Sequence, residues 1–271
     1  MTKGGVEVKQ RAVELDGERV RYRVTGSGEP LVLVHGLGGS WRWWSPLFAP
    51  LSPQRRLHMV DLPSLRRFGR PKQLGEWLGR WLDAAELERV DVAGHSLGGL
   101  AAAELAAGQP QRIRRLVLVS PAGIPCNRRI VGRAGPLAGA LYDIRDSLAM
   151  VALDALRAGP LSLAHGVALA SSRDLRQELP AVRAPVLLVW GEGDYLVPHR
   201  LADEWQRALP ASSLVLLSCG HVPMLEAPGE LARSMLTFLD DEVADDSGDQ
   251  VRPRVVEGVR LSGSDEESPV R

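Results

Sequence analysis

The chain lacks three things, and each lack removes a class of protein. Cys126 and Cys219 are the only cysteines in 271 residues, too few for a disulfide framework and in keeping with a reducing compartment. Net charge is absent, because 33 basic residues balance 33 acidic ones, so no global field draws the chain to nucleic acid or an anionic membrane. Long apolar runs are missing too. None approaches the roughly 20 residues of a membrane-spanning helix, and Met1-Thr2-Lys3-Gly4-Gly5 has no signal-peptide core. These lacks predict a soluble, cytoplasmic protein with no nucleic-acid and no membrane partner. The charge balance hides an asymmetry. From Asp240 onward there are ten acids and four arginines, which puts −6 on that segment and +6 on the rest. Residues 241–271 hold few large apolar side chains and read as an acidic, disordered tail.

What is present is ordinary for a globular enzyme, with 45% hydrophobic and 24% charged residues. The first thirty residues predict a hairpin: Val6, Val8 and Ala12-Val13-Glu14-Leu15, a turn at Asp16-Gly17, then Val20-Arg21-Tyr22-Arg23-Val24. Leu31-Val32-Leu33-Val34, Leu116-Val117-Leu118-Val119 and Val186-Leu187-Leu188-Val189 are unbroken apolar runs, as in strands buried on both faces of a parallel sheet, and Leu57-His58-Met59-Val60 is a further strand of the same kind interrupted only by a histidine. Leu214-Val215-Leu216-Leu217 is a further strand. Trp41, Trp43 and Trp44 start the first helix, where packing onto the sheet is the expected role and an indole at the mouth of a pocket the alternative. Leu74, Trp77, Leu78, Trp81, Leu82 and Ala85 form the apolar stripe of a second helix. Ser64 to Pro71 is arginine-rich and reads as a surface loop. Between Pro121 and Arg183 no strand pattern appears. Leu137, Leu141, Ile144, Leu148 and Val151 recur at helical spacing and Leu153, Leu156, Leu161, Leu163, Val167 and Leu169 continue the apolar pattern, so 122–183 reads as a helical cap over the edge of the sheet where ligands bind. Its inward stripe, over about Gly135 to Leu169, is expected to be Leu, Ile, Val and Ala. The resulting division is 1–121 and 184–240 for the core, 122–183 for the cap and 241–271 for the tail.

Chemistry concentrates where Val90-Asp91-Val92-Ala93 runs through Gly94-His95-Ser96-Leu97-Gly98 into Leu100-Ala101-Ala102-Ala103. Strand, glycine-flanked serine and helix together match the G-x-S-x-G nucleophile elbow. A neutral serine needs a base, and the base needs a carboxylate to hold its tautomer. His221 follows the last strand in a loop. His35 belongs to a glycine loop, His95 to the elbow itself, His58 to a strand, and His165 and His199 to helices or their margins. Gly191-Glu192-Gly193-Asp194 supplies the acid, with Asp194 preferred over Glu192 because it lies deeper in the turn. Arg128, Arg129 and Arg133 at the start of the cap read as solvated rather than anion-binding.

His35-Gly36-Leu37-Gly38-Gly39, Asp61-Leu62-Pro63, the elbow, Gly191-Glu192-Gly193-Asp194 and Gly220-His221 together give a chain that resembles the α/β-hydrolase superfamily over about residues 6–239. The resemblance implies an α/β fold: an eight-stranded, mostly parallel sheet with helices on both faces and a small helical cap after the sixth strand. It also implies a catalytic triad of Ser96, Asp194 and His221. Backbone N–H groups of Leu37 and Leu97 would then form the oxyanion hole. The segment Ser64 to Arg70 departs from the compact glycine turn usual at that point. A serine nucleophile, where dehalogenases and epoxide hydrolases carry aspartate, points to attack on a carbonyl. The expected activity is hydrolysis of a carboxylic ester, or a related thioester or lactone, with a small-molecule apolar acyl part. A slow-turnover ligand sensor, a C–C bond hydrolase and an acyltransferase are the alternatives. No cofactor and no metal site is expected, and neither a monomer nor a homodimer is specified.

Overall fold

The computed structural model describes residues 2–3, 6–65, 73–125 and 147–241. Its centre is an eight-stranded sheet, here β1 Lys9–Leu15, β2 Glu18–Thr25, β3 Glu29–Val34, β4 Arg55–Val60, β5 Val90–His95, β6 Ile113–Val119, β7 Val186–Gly191 and β8 Ser212–Leu217. Across the sheet the order is β1-β2-β4-β3-β5-β6-β7-β8. Only β1·β2 and β2·β4 are antiparallel, and the other neighbours run parallel. A separate two-strand ribbon pairs Thr2–Lys3 with Val6–Glu7. The hairpin turn is at Asp16-Gly17, both at positive φ (53° and 77°), the geometry that keeps a two-residue turn in step with strand twist.

The apolar runs are buried on both faces, and their alternation splits the core in two. Val32 and Val34 of β3 face one apolar cluster, while Leu31 and Leu33 face the other. Helices α1 Gln73–Ala84 and α2 Leu97–Gly108 cover the first side, through Trp77, Leu78 and Trp81 and the alanine-rich face of α2. Trp41, Trp43, Trp44 and the helix Pro228–Asp240 cover the second. At about 25 cal/mol for each Å² of apolar surface, these two layers supply the main drive for folding.

The tryptophan segment is not an α-helix. Trp41–Leu47 winds as a 3₁₀ helix, with Pro46 inside it, before one α-turn at Phe48–Leu51. Three residues per turn put Trp41, Trp44 and Leu47 on one face, and proline has no N–H for an α-type bond. All three tryptophans are buried in the core, which leaves none of them at a pocket mouth.

Between β6 and β7 lie α3 Leu148–Ala158 and α4 Pro160–Ser172, and after β7 come α5 Ala202–Ala208 and α6 Pro228–Asp240. The expected inward stripe of α3 and α4 is corrected in part. Leu148, Val151, Leu169 and Ala170 are half-buried against the core as expected, but the fully buried residues are Asp154, Ser162 and Gly166, and Leu153, Leu156, Leu161 and Val167 are exposed. Close approach to the loops below them is the physical reason. A Cβ on Gly166 would collide with the methyl groups of Leu37 and Leu65, and Leu65 N–H donates to Ser162 Oγ at 3.1 Å. Leu137, Leu141, Ile144, Arg128, Arg129, Arg133, Cys126, most of the 64–71 loop and the tail beyond Asp241 lie outside the described residues.

Candidate active site

Strain marks the elbow. Ser96 sits between β5 and α2 at φ 51°, ψ −113°, a conformation that costs a non-glycine residue about 1–3 kcal/mol. The crowding that motivates the glycines is visible around it. A Cβ on Gly98 would collide with the carbonyl oxygens of Val34 and His35, and one on Gly94 with that of Gly98. Backbone bonds hold the turn from both sides: Ser96 N–H donates to Val119 O at 3.0 Å, and Ala122 N–H donates to Ser96 O at 3.0 Å.

Three side chains meet at the carboxyl ends of the strands. Ser96 Oγ lies 3.2 Å from His221 Nε2, and His221 Nδ1 lies 2.8 Å from Asp194 Oδ2. The other Asp194 oxygen, Oδ1, accepts the N–H groups of Leu196 at 2.9 Å and Val197 at 2.8 Å. Burial alone would raise the Asp194 pKa, but the charge and hydrogen bond of His221 and the Val197 N–H outweigh it and hold the pKa below the ordinary carboxylate value. Glu192, the competing acid, is exposed and accepts from Ser218 Oγ at 3.2 Å. Asp194 is the acid that reaches His221.

Two residues outside this trio hold the main chain of His221. His95 Nε2 lies 2.8 Å from His221 O, with the two rings 4.9 Å apart. Burial first, and then the nearby His221, lower the His95 pKa to about 3, so its ring is neutral and Nε2–H is the donor. Glu226 accepts the N–H of Val222 at 2.8 Å and that of Gly220 as well. The base is thus anchored by the amide on either side of it and by its own carbonyl. The sequence reading turned His95 away from the serine hydroxyl, which agrees with this contact, but it did not find the carbonyl that His95 meets. Glu226 was missed altogether, and its only sequence signal is an acid three residues into the short helix Pro223–Glu226.

On the other side of Ser96 is the glycine loop. His35 Nδ1–H donates to Gly36 O at 2.8 Å, and its Nε2 accepts Leu62 N–H at 2.9 Å, tying the end of β3 to the end of β4. Leu97 begins α2, so its N–H has no partner within the helix, and the helix dipole favours negative charge there. Leu37 and Leu97 share the wall of a cavity of about 280 Å³ with Asp61–Leu65 and, from the helices above, Asp154, Arg157, Ala158 and Ser162. Among the described residues no three His, Cys, Asp or Glu side chains come together as a metal site, and no helix is long and apolar enough to cross a membrane.

Comparison with known proteins agrees with this architecture. The family model described as "Alpha/beta hydrolase family" matches residues 31–234. A pimeloyl-(acyl-carrier protein) methyl ester esterase of Nitrosomonas europaea is 31% identical over 252 residues, covering 77% of this chain and 95% of that one. The dihydrolipoyllysine-residue acetyltransferase component of an acetoin cleaving system from Pseudomonas putida is 30% identical over 276 residues, covering 88% and 72%. Among solved structures, a bacterial membrane phospholipase A superposes with a TM-score of 0.70 at 27% identity, covering 86% of each chain.

Proposed function

The chain belongs to the alpha/beta hydrolase family and is a hydrolase, and from that premise we propose that it cleaves carboxylic esters through an acyl-enzyme on Ser96. The observation that carries the proposal is the unbroken chain of contacts Ser96 Oγ–His221 Nε2–His221 Nδ1–Asp194 Oδ2, at 3.2 Å and 2.8 Å. In the proposed reaction His221 Nε2 takes the serine proton as Ser96 Oγ attacks the carbonyl carbon. Asp194 accepts from Nδ1–H throughout, which fixes the tautomer and stabilises the imidazolium. The backbone N–H groups of Leu37 and Leu97 would receive the oxyanion, aided by the amino end of α2. His221 then protonates the departing alkoxide, and a water molecule repeats the sequence against the acyl group.

Relatives named as methyl ester esterases, at up to 31% identity, support an ester over other carbonyl substrates. Residues 122–183 would act as the cap that shapes the pocket. The part of α3 and α4 that lines the cavity is Asp154, Arg157, Ala158 and Ser162, so the acyl part of the substrate would meet polar groups there as well as apolar ones. A fluorophosphonate probe tests the nucleophile: it should label Ser96, and Ser96→Ala should cost roughly 10⁴–10⁶ in kcat. Labelling of a different serine would overturn the assignment.

A further inference from the structure

We propose that Arg42 and Arg157 form a subsite for a carboxylate carried by the substrate, on the cavity wall beside Leu37 and Leu97. The proposal rests on the ester-hydrolase reading above and gives the substrate class for that site.

Asp154 organises this wall. Its side chain is 2% exposed, although its neighbours Leu153 and Leu156 on the same helix face solvent. Ser40 Oγ–H donates to Asp154 Oδ2 at 2.6 Å, while Nη1 of Arg42 at 3.1 Å and Nη1 of Arg157 at 3.4 Å both converge on Oδ1. Two guanidinium groups therefore share one carboxylate. The other cavity acid does not balance the second charge. Asp61 Oδ1 accepts Trp41 N–H at 2.8 Å and lies within electrostatic reach of a third guanidinium, that of Arg23, which stands over the Trp41 ring at 5.2 Å. Arg23, Arg42 and Arg157 against Asp61 and Asp154 leave one positive charge.

Arg42 stands over the Trp41 ring at 5.4 Å, and its side-chain contacts with Asp154 and Ser40, like that of Arg157 with Asp154, are made through Nη1; among the described residues neither Nη2 has a hydrogen-bond partner, so that edge of both forks is the one offered to a ligand. Planar forks of this kind match a carboxylate in two-point geometry. Asp154 holds them in place before any ligand arrives, which lowers the ordering cost of binding. The cavity volume of about 280 Å³ is about nine times the ~30 Å³ share of a liquid water molecule, enough for a short carboxylate-bearing chain or a small ring. Arg157 is 54% exposed, so solvent screens part of its contribution.

Two matched ester pairs test the subsite. Phenyl butyrate and monophenyl succinate differ by a carboxylate on the acyl side, and phenyl acetate and 4-acetoxybenzoate by one on the leaving side. In at least one pair kcat/KM should favour the carboxylate by about 10- to 100-fold, the range of a charge-assisted hydrogen bond. Arg42→Gln with Arg157→Gln should bring that ratio close to one. Arg157→Gln alone, which keeps the Arg42–Asp154 pair, should give an intermediate value. A ratio near one in the parent for both pairs, or a ratio unchanged in the arginine variants, overturns the subsite while leaving the hydrolase reading intact. If none of the four esters turns over, the ester-hydrolase reading fails, and calorimetry on Ser96→Ala decides the subsite separately. Tighter binding of monophenyl succinate than of phenyl butyrate, lost with the arginines, supports it, and equal or absent binding overturns it.

Discussion

His95 Nε2 lies 2.8 Å from the carbonyl oxygen of His221, so the residue adjoining the proposed nucleophile grips the main chain of the proposed base. Ser96 and His221 come from elements far apart in sequence, and this bond makes their spacing a property of the elbow itself. A 1 Å error in such spacing can cost about 100-fold. His95→Ala should therefore lower kcat by about 10- to 100-fold with little change in KM. His95→Gln, which can still donate from its amide, should recover much of the loss. Because burial keeps the His95 pKa near 3, the pH midpoint of activity should not move in His95→Gln. A shifted midpoint would mean that His95 itself titrates in the working range.

The acid assignment is open to a paired comparison. Asp194→Asn keeps the shape of the side chain but removes the anion that fixes the His221 tautomer, and should cost about 10⁴ in kcat. Glu192→Gln changes an exposed side chain bonded to Ser218 and should stay within about threefold of the parent, as most surface substitutions do. A larger loss from Glu192→Gln would reverse the assignment.

Local pattern carried much of the architecture and fell short where partners are distant in the chain. Leu31 to Val34 reads as a doubly buried strand because nothing polar interrupts it. The start of β6 was hidden by Arg114 and Arg115, since Arg114 belongs to the sheet only through Asp91, which is fully buried in β5, and through Glu29. At the candidate site the residue types and their order singled out Ser96, Asp194 and His221, the three side chains that come within hydrogen-bonding reach. Asp154 was invisible among Leu153, Ala155 and Leu156, because its partners Ser40 and Arg42 lie 114 and 112 residues away. A stripe of leucines on an inserted helix does not say which side faces the protein. Here the loop beneath leaves room for a glycine, a serine and a paired acid.

Asp154 and Arg157 should differ sharply in their effect on stability. Removing the acid strands a buried Ser40 hydroxyl and two guanidiniums, whereas Arg157 is half exposed and its loss leaves Arg42 and Ser40 on Asp154. Asp154→Ala should cost about 1–3 kcal/mol, the cost of unpaired groups in a partly wet site. Arg157→Ala should cost less than about 1 kcal/mol, as for an exposed pair. Chemical denaturation of the two variants checks the order, and an equal loss would place Asp154 in effective contact with solvent.

His58 sets an acid limit on stability. It lies in β4, pairs in register with Val24 and Val32, and stacks on Tyr22 with ring centres 6.2 Å apart. Neither ring nitrogen has a hydrogen-bond partner among the described residues. Burial, and to a lesser extent the charge of Arg56, lower its pKa from 6.5 to about 4. The sign follows from linkage. Below pH 6.5 the unfolded chain takes up a proton that the folded chain refuses, so stability falls with pH until about pH 4 and then levels off. Over the whole window this one ring removes about 3 kcal/mol, and about 2 kcal/mol of that between pH 7 and pH 5. His95, lowered to about 3, adds a loss of the same sign over a wider window. His58→Leu removes the titration and the two unpaired nitrogens while filling a similar space. Urea denaturation at pH 7 and pH 5 should show the parent losing about 2 kcal/mol more than His58→Leu across that interval. Parallel losses in the two proteins would mean that His58 is protonated in the folded state and that the pocket between β2 and β3 admits enough water to hold the charge.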